Sequence, residues 1–254
     1  MKIIEHNKDN WDKKVQQKNQ WTIPVSSEEI SKAKEGNWSI IVTTTKKVPK
    51  EWFPNLEGKH VLCLASGGGQ QGPILAAAGA KVTVLDFSKK QLEQDHLVAE
   101  RDNLKIDTIM GFMTDLSMFD TEIFDVIVHP VSNLFIPDIQ PVWKEAWRIL
   151  KFGGTMISGF MNPIFYLFDW ELQEEGILQV KHSLPYSELD YSSEEEIVKN
   201  NHAIEFGHTL EQQIQGQIKA GFMIAGFYED TFGGERLLDK YSASCIATKA
   251  VKVK

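Results

Sequence analysis

The stretch VLCLASGGGQQG, residues 61–72, decides the fold of this chain. Its first half belongs to a short apolar run, His60–Ala65, which has the length and composition of a buried strand. Its second half is a glycine cluster, and glycine lets the backbone turn tightly and approach a ligand without a Cβ clash. The N–H groups that begin the next helix favour an anion or a carboxylate. The stretch predicts a strand–turn–helix unit that binds a small ligand, with a plain tight turn as the alternative.

The segments after this unit alternate between helical and strand patterns. The helix candidates are Pro73–Ala80, Ser88–Arg101 with Ser88 as its N-cap, and a segment from Asp138 and Pro141 to Leu150 that Gly153 and Gly154 would stop. The strand candidates are Lys81–Leu85, Ile106–Met110, Phe124–Val128 and Thr155–Gly159. This alternation predicts an α/β fold with a parallel sheet and helices on both of its faces.

The C-terminal part follows a different pattern. A helix is predicted over Thr209–Ala220, with Thr209 and Gln212 at capping-box spacing and Gly221 at its end. Two strands, Phe222–Tyr228 and Ser242–Lys249, then follow with no helix between them. Such strands pair most simply as an antiparallel hairpin.

Two segments lie outside the alternation. Residues 1–57 contain four tryptophans among charged residues, and we expect a helical arm that packs on the core or forms a lid over the site. Residues 160–207 hold an aromatic and then an acidic stretch, in which Ser193 and Glu196 form a second capping box. We interpret them as a cap inserted into the main domain, residues 58–254.

Composition limits the class of protein. The chain has 254 residues, a net charge of −8 and 42% hydrophobic residues, which suits one domain with an insertion, or two small domains. A negative balance disfavours nucleic acid as the main partner, because phosphate binding needs a basic surface. Cys63 and Cys245 each sit in an apolar run and are expected to be reduced core residues. No signal peptide or membrane span is predicted, so we expect a soluble, cytoplasmic protein.

Two acidic residues follow predicted strands. Asp86 lies 19 residues after Gly67, at the end of the next strand, where a carboxylate can accept both hydroxyls of an adenosyl ribose. Phe87 would lie against the adenine or belong to the core. Asp115 would accept the adenine amino group, with Leu116 as an apolar wall, or else it is a turn residue. The predicted nucleotide site consists of Ala65, Ser66, Gly67, Gly68, Gly69, Gln71, Asp86, Phe87, Ser88, Met113, Thr114, Asp115, Leu116 and His129.

The glycine pattern alone does not identify the nucleotide. Gly67-x-Gly69-x-x-Gly72 also satisfies the dinucleotide fingerprint, and Asp86 suits an NAD ribose equally well. Nicotinamide binding and adenosyl binding both remain open at this point.

The order of the motifs resembles that of class I S-adenosylmethionine-dependent methyltransferases. The resemblance covers about residues 58–160 and includes FDVI at 124–127 and RILKFGG at 148–154. Within the class, the chain is most similar to the small-molecule group that includes ubiquinone and menaquinone biosynthesis methyltransferases. It departs at three positions: Cys63 replaces an acidic residue, Ala65 the first glycine and Phe152 a proline.

The resemblance implies a Rossmann-like three-layer sandwich, with a seven-stranded, mostly parallel sheet whose last strand is antiparallel. S-adenosylmethionine would bind at the switch point of the sheet and leave as S-adenosylhomocysteine. Its methionine part would rest on residues 65–69, its ribose on Asp86, and its adenine beside Phe87, Asp115 and Leu116. The acceptor would be a small molecule that the sequence does not identify.

Candidate catalytic residues come from the loop after the fourth strand. His129 would be a general base, or it shapes the pocket, and Asn133 would orient the acceptor, or it is a turn residue. Aromatic and polar residues at the start of the cap would line an acceptor pocket or form the cap's own core: Phe160, Met161, Asn162, Phe165 and Tyr166. The other histidines lack metal-ligand spacing, so we expect no catalytic metal.

Two further functions stay open. The first is an NAD(P)- or flavin-dependent oxidoreductase, although the chain lacks a tyrosine-x-x-x-lysine pair. The second is an adenosyl-binding protein without transfer activity, which the replacements at Cys63 and Ala65 allow.

Overall fold

The computed structural model describes residues 2–254. Within them the strands are β1 (His60–Leu64), β2 (Lys81–Asp86), β3 (Ile106–Met110), β4 (Phe124–His129), β5 (Leu150–Met161), β6 (Tyr186–Ser187), β7 (Phe206–Gly207), β8 (Phe222–Asp230) and β9 (Cys245–Lys252). The helices are α1 (Ile3–Gln16), α2 (Ser27–Lys34), α3 (Gln71–Ala77), α4 (Lys89–Asp102), α5 (Gln140–Ile149), α6 (Trp170–Glu174), α7 (Glu194–Asn200) and α8 (Gly216–Ala220).

One seven-stranded sheet has the order β3-β2-β1-β4-β5-β9-β8. The first five strands in this order are parallel, and β9 runs antiparallel to both of its neighbours, β5 and β8. The predicted Rossmann-like sheet and C-terminal hairpin are therefore confirmed. The order reverses between β1 and β4, so the loops that follow these two strands diverge and leave a crevice between them.

Alternate residues of the central strands face two separate layers of helices. Val61 and Cys63 pack in a core with α2, α3 and α4, whereas Leu62 and Leu64 pack in a second core with α5. Burial on both faces explains why β1 reads as a continuous apolar run rather than an alternating one.

The helix caps follow the sequence closely. Ser88 Oγ accepts the N–H of Gln91 at the start of α4, and both predicted capping boxes form, at Ser193 with Glu196 and at Thr209 with Gln212. The helix after Thr209 ends at Gly221 as predicted, but it begins with a π-helical segment over Glu211–Gln215.

The glycine pair at 153–154 was misassigned as the stop of a helix. The helix α5 ends at Ile149, because Leu150 is already extended and pairs with Phe124. Both glycines lie inside β5, where Gly153 has a φ of +76°.

The N-terminal arm lies against the helices and strands of the main domain. The helix α1 packs on α4 and α2 packs on α3. A loop after α2 is held by Asp230, whose carboxylate accepts hydrogen bonds from Thr43, Thr44, Thr45 and Lys46. These hydrogen bonds hold the pKa of Asp230 below its usual range, although burial opposes them. Met1, the first residue of the predicted arm, lies outside the described residues.

The two cysteines are both buried and free, as expected. No helix within residues 2–254 is long and apolar enough to cross a membrane.

Candidate active site

A cavity of about 350 Å³ opens where the central strands of the sheet end. Its lining comes from the turns that follow the strands, from the N-terminal arm, from the cap and from the loop between β8 and β9. The residues that line it are Trp11, Lys14, Asn19, Trp21, Ile41, Thr43, Thr44, Ala65, Ser66, Gly67, Gln70, Gln71, Asp86, Phe87, Gln91, Met113, Pro130, Val131, Ser132, Leu134, Phe135, Met161, Phe165, Glu205, Phe232 and Arg236.

Ala65 begins the turn in an uncommon conformation. Its φ is +47°, in the left-handed region that costs an L-residue about 1–2 kcal/mol and that glycine adopts without strain. Its N–H donates to the carbonyl of Leu85, which continues the ladder between β1 and β2. The position of the first glycine in the family pattern is therefore occupied here by a strained alanine in the left-handed region.

The glycines after Ala65 allow close packing of the turn between α4 and the arm. A Cβ on Gly67 would lie 2.7 Å from Cβ of Gln91, and one on Gly69 would lie 2.9 Å from the carbonyl oxygen of Gln94. On the other side, the N–H of Val25 donates to the carbonyl of Gly69. The sequence suggested that these glycines allow a ligand to approach the backbone. The structure shows that they also allow α4 and the N-terminal arm to approach it.

The N–H groups of this turn are already engaged. Gly67 donates to Asp86 Oδ2 at 2.9 Å, and Gly68 donates to both the carbonyl of Gln91 and the carboxylate of Asp95. The hydrogens of Gly67 and Gly68 are therefore directed at protein oxygens, while the binding of an anion by the N–H groups that begin α3 stays a prediction.

Asp86 lies at the end of β2 in the wall of the cavity. Its side chain is 6% exposed, and its second oxygen accepts the N–H of Ser88 at 2.9 Å. Burial raises the pKa of Asp86 to about 6, against the backbone hydrogen bonds that lower it. Each carboxylate oxygen keeps a further lone pair, so the group can still accept hydroxyl donors from the cavity.

The predicted nucleotide residues divide into two groups. Ala65, Ser66, Gly67, Gln71, Asp86, Phe87 and Met113 line the cavity. Gly68, Gly69, Ser88, Thr114, Asp115, Leu116 and His129 are not among the lining residues. Ser88 is fully buried and donates its hydroxyl to Asp12 of α1, so it joins the arm to α4.

Asp115 and Leu116 occupy the loop after β3 beside the cavity rather than in its wall. Asp115 is exposed, and its carboxylate accepts the N–H of Ser117 as in a turn. Leu116 is fully buried in the core with α5, and its N–H donates to Glu145. In this conformation the turn interpretation describes Asp115 better than the adenine contact.

His129 is enclosed beneath the cavity. Its ring is fully buried, packs edge-on against Trp143 and makes an Nδ1 hydrogen bond with the carbonyl of Leu64. Burial lowers the pKa of His129 to about 4, so the ring is neutral at physiological pH. A neutral ring that joins β4 to β1 fits the alternative role of shaping the pocket.

Asn133 is also fully buried and donates to Gln213 Oε1 at 2.8 Å. Its side chain connects the loop after β4 to the π-helical segment. Neither Asn133 nor His129 lies in the cavity wall, so the structure does not bring the two predicted catalytic residues to the predicted ligand.

Part of the cavity lining is aromatic or sulfur-containing. Of the five cap residues proposed for an acceptor pocket, Met161 and Phe165 line it, while Phe160, Asn162 and Tyr166 do not. Phe232 stacks at a tilt on Phe165, with ring centroids 5.6 Å apart. These apolar side chains suit a hydrophobic ligand.

Three charged side chains in the wall were not anticipated from the sequence: Lys14, Glu205 and Arg236. One carboxylate oxygen of Glu205 accepts the hydroxyl of Tyr166 at 3.1 Å. Burial raises the pKa of Glu205, and nearby Lys14 opposes this effect. Asp86 and Glu205 are thus the two carboxylates that face the cavity within the described chain.

No group of three or more His, Cys, Asp or Glu residues in the described part of the chain is arranged to hold a metal ion.

Comparison with known proteins relates this architecture to a family. A family model described as "Methyltransferase domain" matches residues 62–158. The "Uncharacterized methyltransferase YbaJ" of Bacillus subtilis strain 168 is 56% identical over 254 residues, which covers 99% of each chain. The "Ubiquinone biosynthesis O-methyltransferase" of Vibrio atlanticus is 33% identical over 115 residues, and the chain spans 48% of that protein.

A solved structure has the same fold. The putative S-adenosylmethionine-dependent methyltransferase from Listeria monocytogenes has a TM-score of 0.60 at 20% sequence identity. The match covers 81% of this chain and 96% of the Listeria chain. At this identity the likeness bears on the fold alone.

Proposed function

Because the chain belongs to the class I S-adenosylmethionine-dependent methyltransferases, we propose that it methylates a small, largely apolar acceptor by in-line displacement and releases S-adenosylhomocysteine. The observation that carries the proposal is the buried Asp86 carboxylate, which lines one cavity together with the turn that follows β1. That position, at the reversal of strand order, is where α/β sheets of this kind bind nucleotides.

The residues in the wall fit the cofactor. Asp86 has the free lone pairs to accept two ribose hydroxyls while it keeps its bonds to Gly67 and Ser88. Phe87 and Met113 supply apolar contacts for the adenine on the same side. The amino-acid part lies against Ala65–Gly67 and Gln71, whose side-chain amide is fixed by Ser66 and by the carbonyl of Ile41.

Bound S-adenosylmethionine supplies an electrophilic methyl group on a positively charged sulfur. The protein aligns the acceptor with the carbon–sulfur bond and excludes water. Aromatic residues of the lining serve these purposes: Trp11 from the arm meets Phe135 edge-on, with ring centroids 5.3 Å apart, and Phe165 comes from the cap.

Glu205 is the proton acceptor in this proposal. When a hydroxyl or amine acceptor is methylated, the new bond forms from its oxygen or nitrogen to the methyl carbon as the carbon–sulfur bond breaks, and one proton must leave. Glu205 lines the cavity, and burial raises its pKa, which favours its action as a base. The base role of His129 is not carried into the proposal, because its ring lies outside the cavity wall.

The proposal is tested by binding and by turnover. Calorimetry should detect binding of S-adenosylmethionine and S-adenosylhomocysteine, and a panel of phenols, amines and carbon acids should yield a methylated product by mass spectrometry. Binding of NAD without response to either adenosyl ligand would overturn the proposal. Adenosyl binding without turnover of any acceptor in a broad panel would favour a binding protein instead.

A further inference from the structure

The helix α4 carries one carboxylate, Asp95, into the space behind the glycine turn. Its side chain is fully buried, and its Oδ2 accepts the N–H of Gly68 at 3.1 Å. Its Oδ1 has no hydrogen-bond partner within residues 2–254 and faces Gly72, where an added Cβ would lie 3.1 Å away. Asp95 does not line the cavity, so it acts on a ligand only through the turn.

The buried position of the Asp95 carboxylate does not favour the stability of the fold. Burial raises the pKa of Asp95 to about 8, although the N–H groups of Gly69 and Gly68 lower it, and the charge of Asp86 raises it further. From β1, Cys63 also faces it, with a thiol whose pKa is raised by burial. A buried carboxyl with one unpartnered oxygen is less stable than an apolar side chain of similar size.

The N–H of Gly68 in the turn after β1 needs a hydrogen-bond acceptor within the protein. Gly67 is held by Asp86, and β1 carries the thiol of Cys63 into the core that it shares with α4. Thiols accept hydrogen bonds weakly. The acceptors for the N–H of Gly68 come instead from α4, and they are the carbonyl of Gln91 at 3.0 Å and the carboxylate of Asp95 at 3.1 Å.

We propose that Asp95 is a positioning residue that, together with the carbonyl of Gln91, holds the N–H of Gly68 away from the cavity and thereby fixes the turn against which the amino-acid part of the cofactor lies. The inference rests on the proposed function, because it concerns the same ligand. In this proposal Asp86 contacts the nucleoside, whereas Asp95 holds the turn after β1 in place.

The first test compares two ligands on three variants by calorimetry. S-adenosylhomocysteine carries the amino-acid part, whereas 5′-methylthioadenosine lacks it. Asp95→Leu, which removes the acceptor at similar size, should weaken S-adenosylhomocysteine binding at least tenfold and change methylthioadenosine binding less than threefold. Asp95→Asn keeps an acceptor oxygen and should bind both ligands like the wild type. Glu100→Leu, which removes an exposed carboxylate from the same helix, is the matched control.

Equal losses for both ligands in Asp95→Leu would indicate a merely structural role and overturn the inference, as would an unchanged affinity for S-adenosylhomocysteine.

A second measurement does not depend on ligand or on the folding of Asp95→Leu. In ¹H–¹⁵N spectra of the wild-type protein, the Gly68 amide should titrate in the alkaline range with Asp95, separately from Asp86. In Asp95→Asn this titration should be absent. A Gly68 amide that responds identically in both proteins would refute the assignment. Wild-type protein that binds no adenosyl ligand would instead refute the proposed function, and the amide titration would still decide the role of Asp95.

Discussion

Replacement of Asp86 by alanine is the most informative single change to the cofactor site. The carboxylate accepts N–H groups from Gly67 and Ser88 at 2.9 Å each, and in the complex it would accept two ribose hydroxyls as well. A hydrogen bond to a charged acceptor contributes about 1.5–3 kcal/mol. The burial that raises the pKa of Asp86 to about 6 offsets part of this gain in the free protein. We therefore expect Asp86→Ala to weaken S-adenosylhomocysteine binding by about 1–3 kcal/mol, or roughly 5- to 150-fold.

Calorimetry with S-adenosylhomocysteine measures this change, and circular dichroism establishes that the variant is folded. Asp107→Ala is a suitable control, because it removes an exposed carboxylate from β3, the strand next to β2. An Asp86→Ala protein that is folded and binds within twofold of the wild type would show that the ribose does not lie on Asp86.

Four further results are expected. S-adenosylhomocysteine affinity should fall as the pH drops from 7 to below about 6, because Asp86 takes up a proton there, and Asp86→Ala should lack this dependence. A wild-type affinity that does not change between pH 7 and 5 would contradict this prediction. Glu205→Gln should retain S-adenosylhomocysteine affinity but slow methyl transfer to a hydroxyl or amine about 100-fold; an undiminished rate would remove its role as base. The pKa of His129 is about 4 in the folded chain and 6.5 in the free side chain, so protonation favours the unfolded chain. Between pH 6.5 and pH 4, the free energy of unfolding measured by chemical denaturation should therefore fall by about 3 kcal/mol more in the wild type than in His129→Gln. Equal decreases in the two proteins would disprove this prediction. Gly159→Ala would place a Cβ against the carbonyl of Val42, whose backbone has little room to move, and should lower stability by about 1–3 kcal/mol in urea unfolding; an unchanged midpoint would count against that packing.

The sheet could be predicted from the sequence because the patterns that indicate its strands and helices are local. The bounds predicted for β3 match the structure, and Ser88, Ser193 and Thr209 cap the helices that their side chains predicted. These features depend on apolar runs and on residues three positions apart, which a sequence displays directly. The glycine pair at 153–154 was misread because a turn residue also occurs in an irregular strand, and only the pairing with β4 distinguishes the two.

Only some of the residues that line the cavity could be predicted from the sequence, for a related reason. Residues on the turns after the strands, such as Gly67 and Asp86, could be placed from the strand order alone. Lys14 and Glu205 lie in the arm and the cap, which have no clear period and are brought together by tertiary contacts such as the hydrogen bond from Asn7 to Ile204. Their sequence context gives no distance to the sheet.

The departures from the family pattern carried information that became clear only in three dimensions. Ala65 adopts the left-handed conformation expected of the glycine it replaces, and Asp95 supplies an acceptor that Cys63 does not. Neither relationship follows from spacing, because Cys63 and Asp95 lie on different elements.

A crystal of the wild-type protein grown with S-adenosylhomocysteine tests the central claim most directly. We expect both ribose hydroxyls within hydrogen-bond distance of the Asp86 carboxylate, and the homocysteine part against the turn after β1. A cavity without the ligand at saturating concentration, or an adenosyl group bound away from Asp86, would contradict the account.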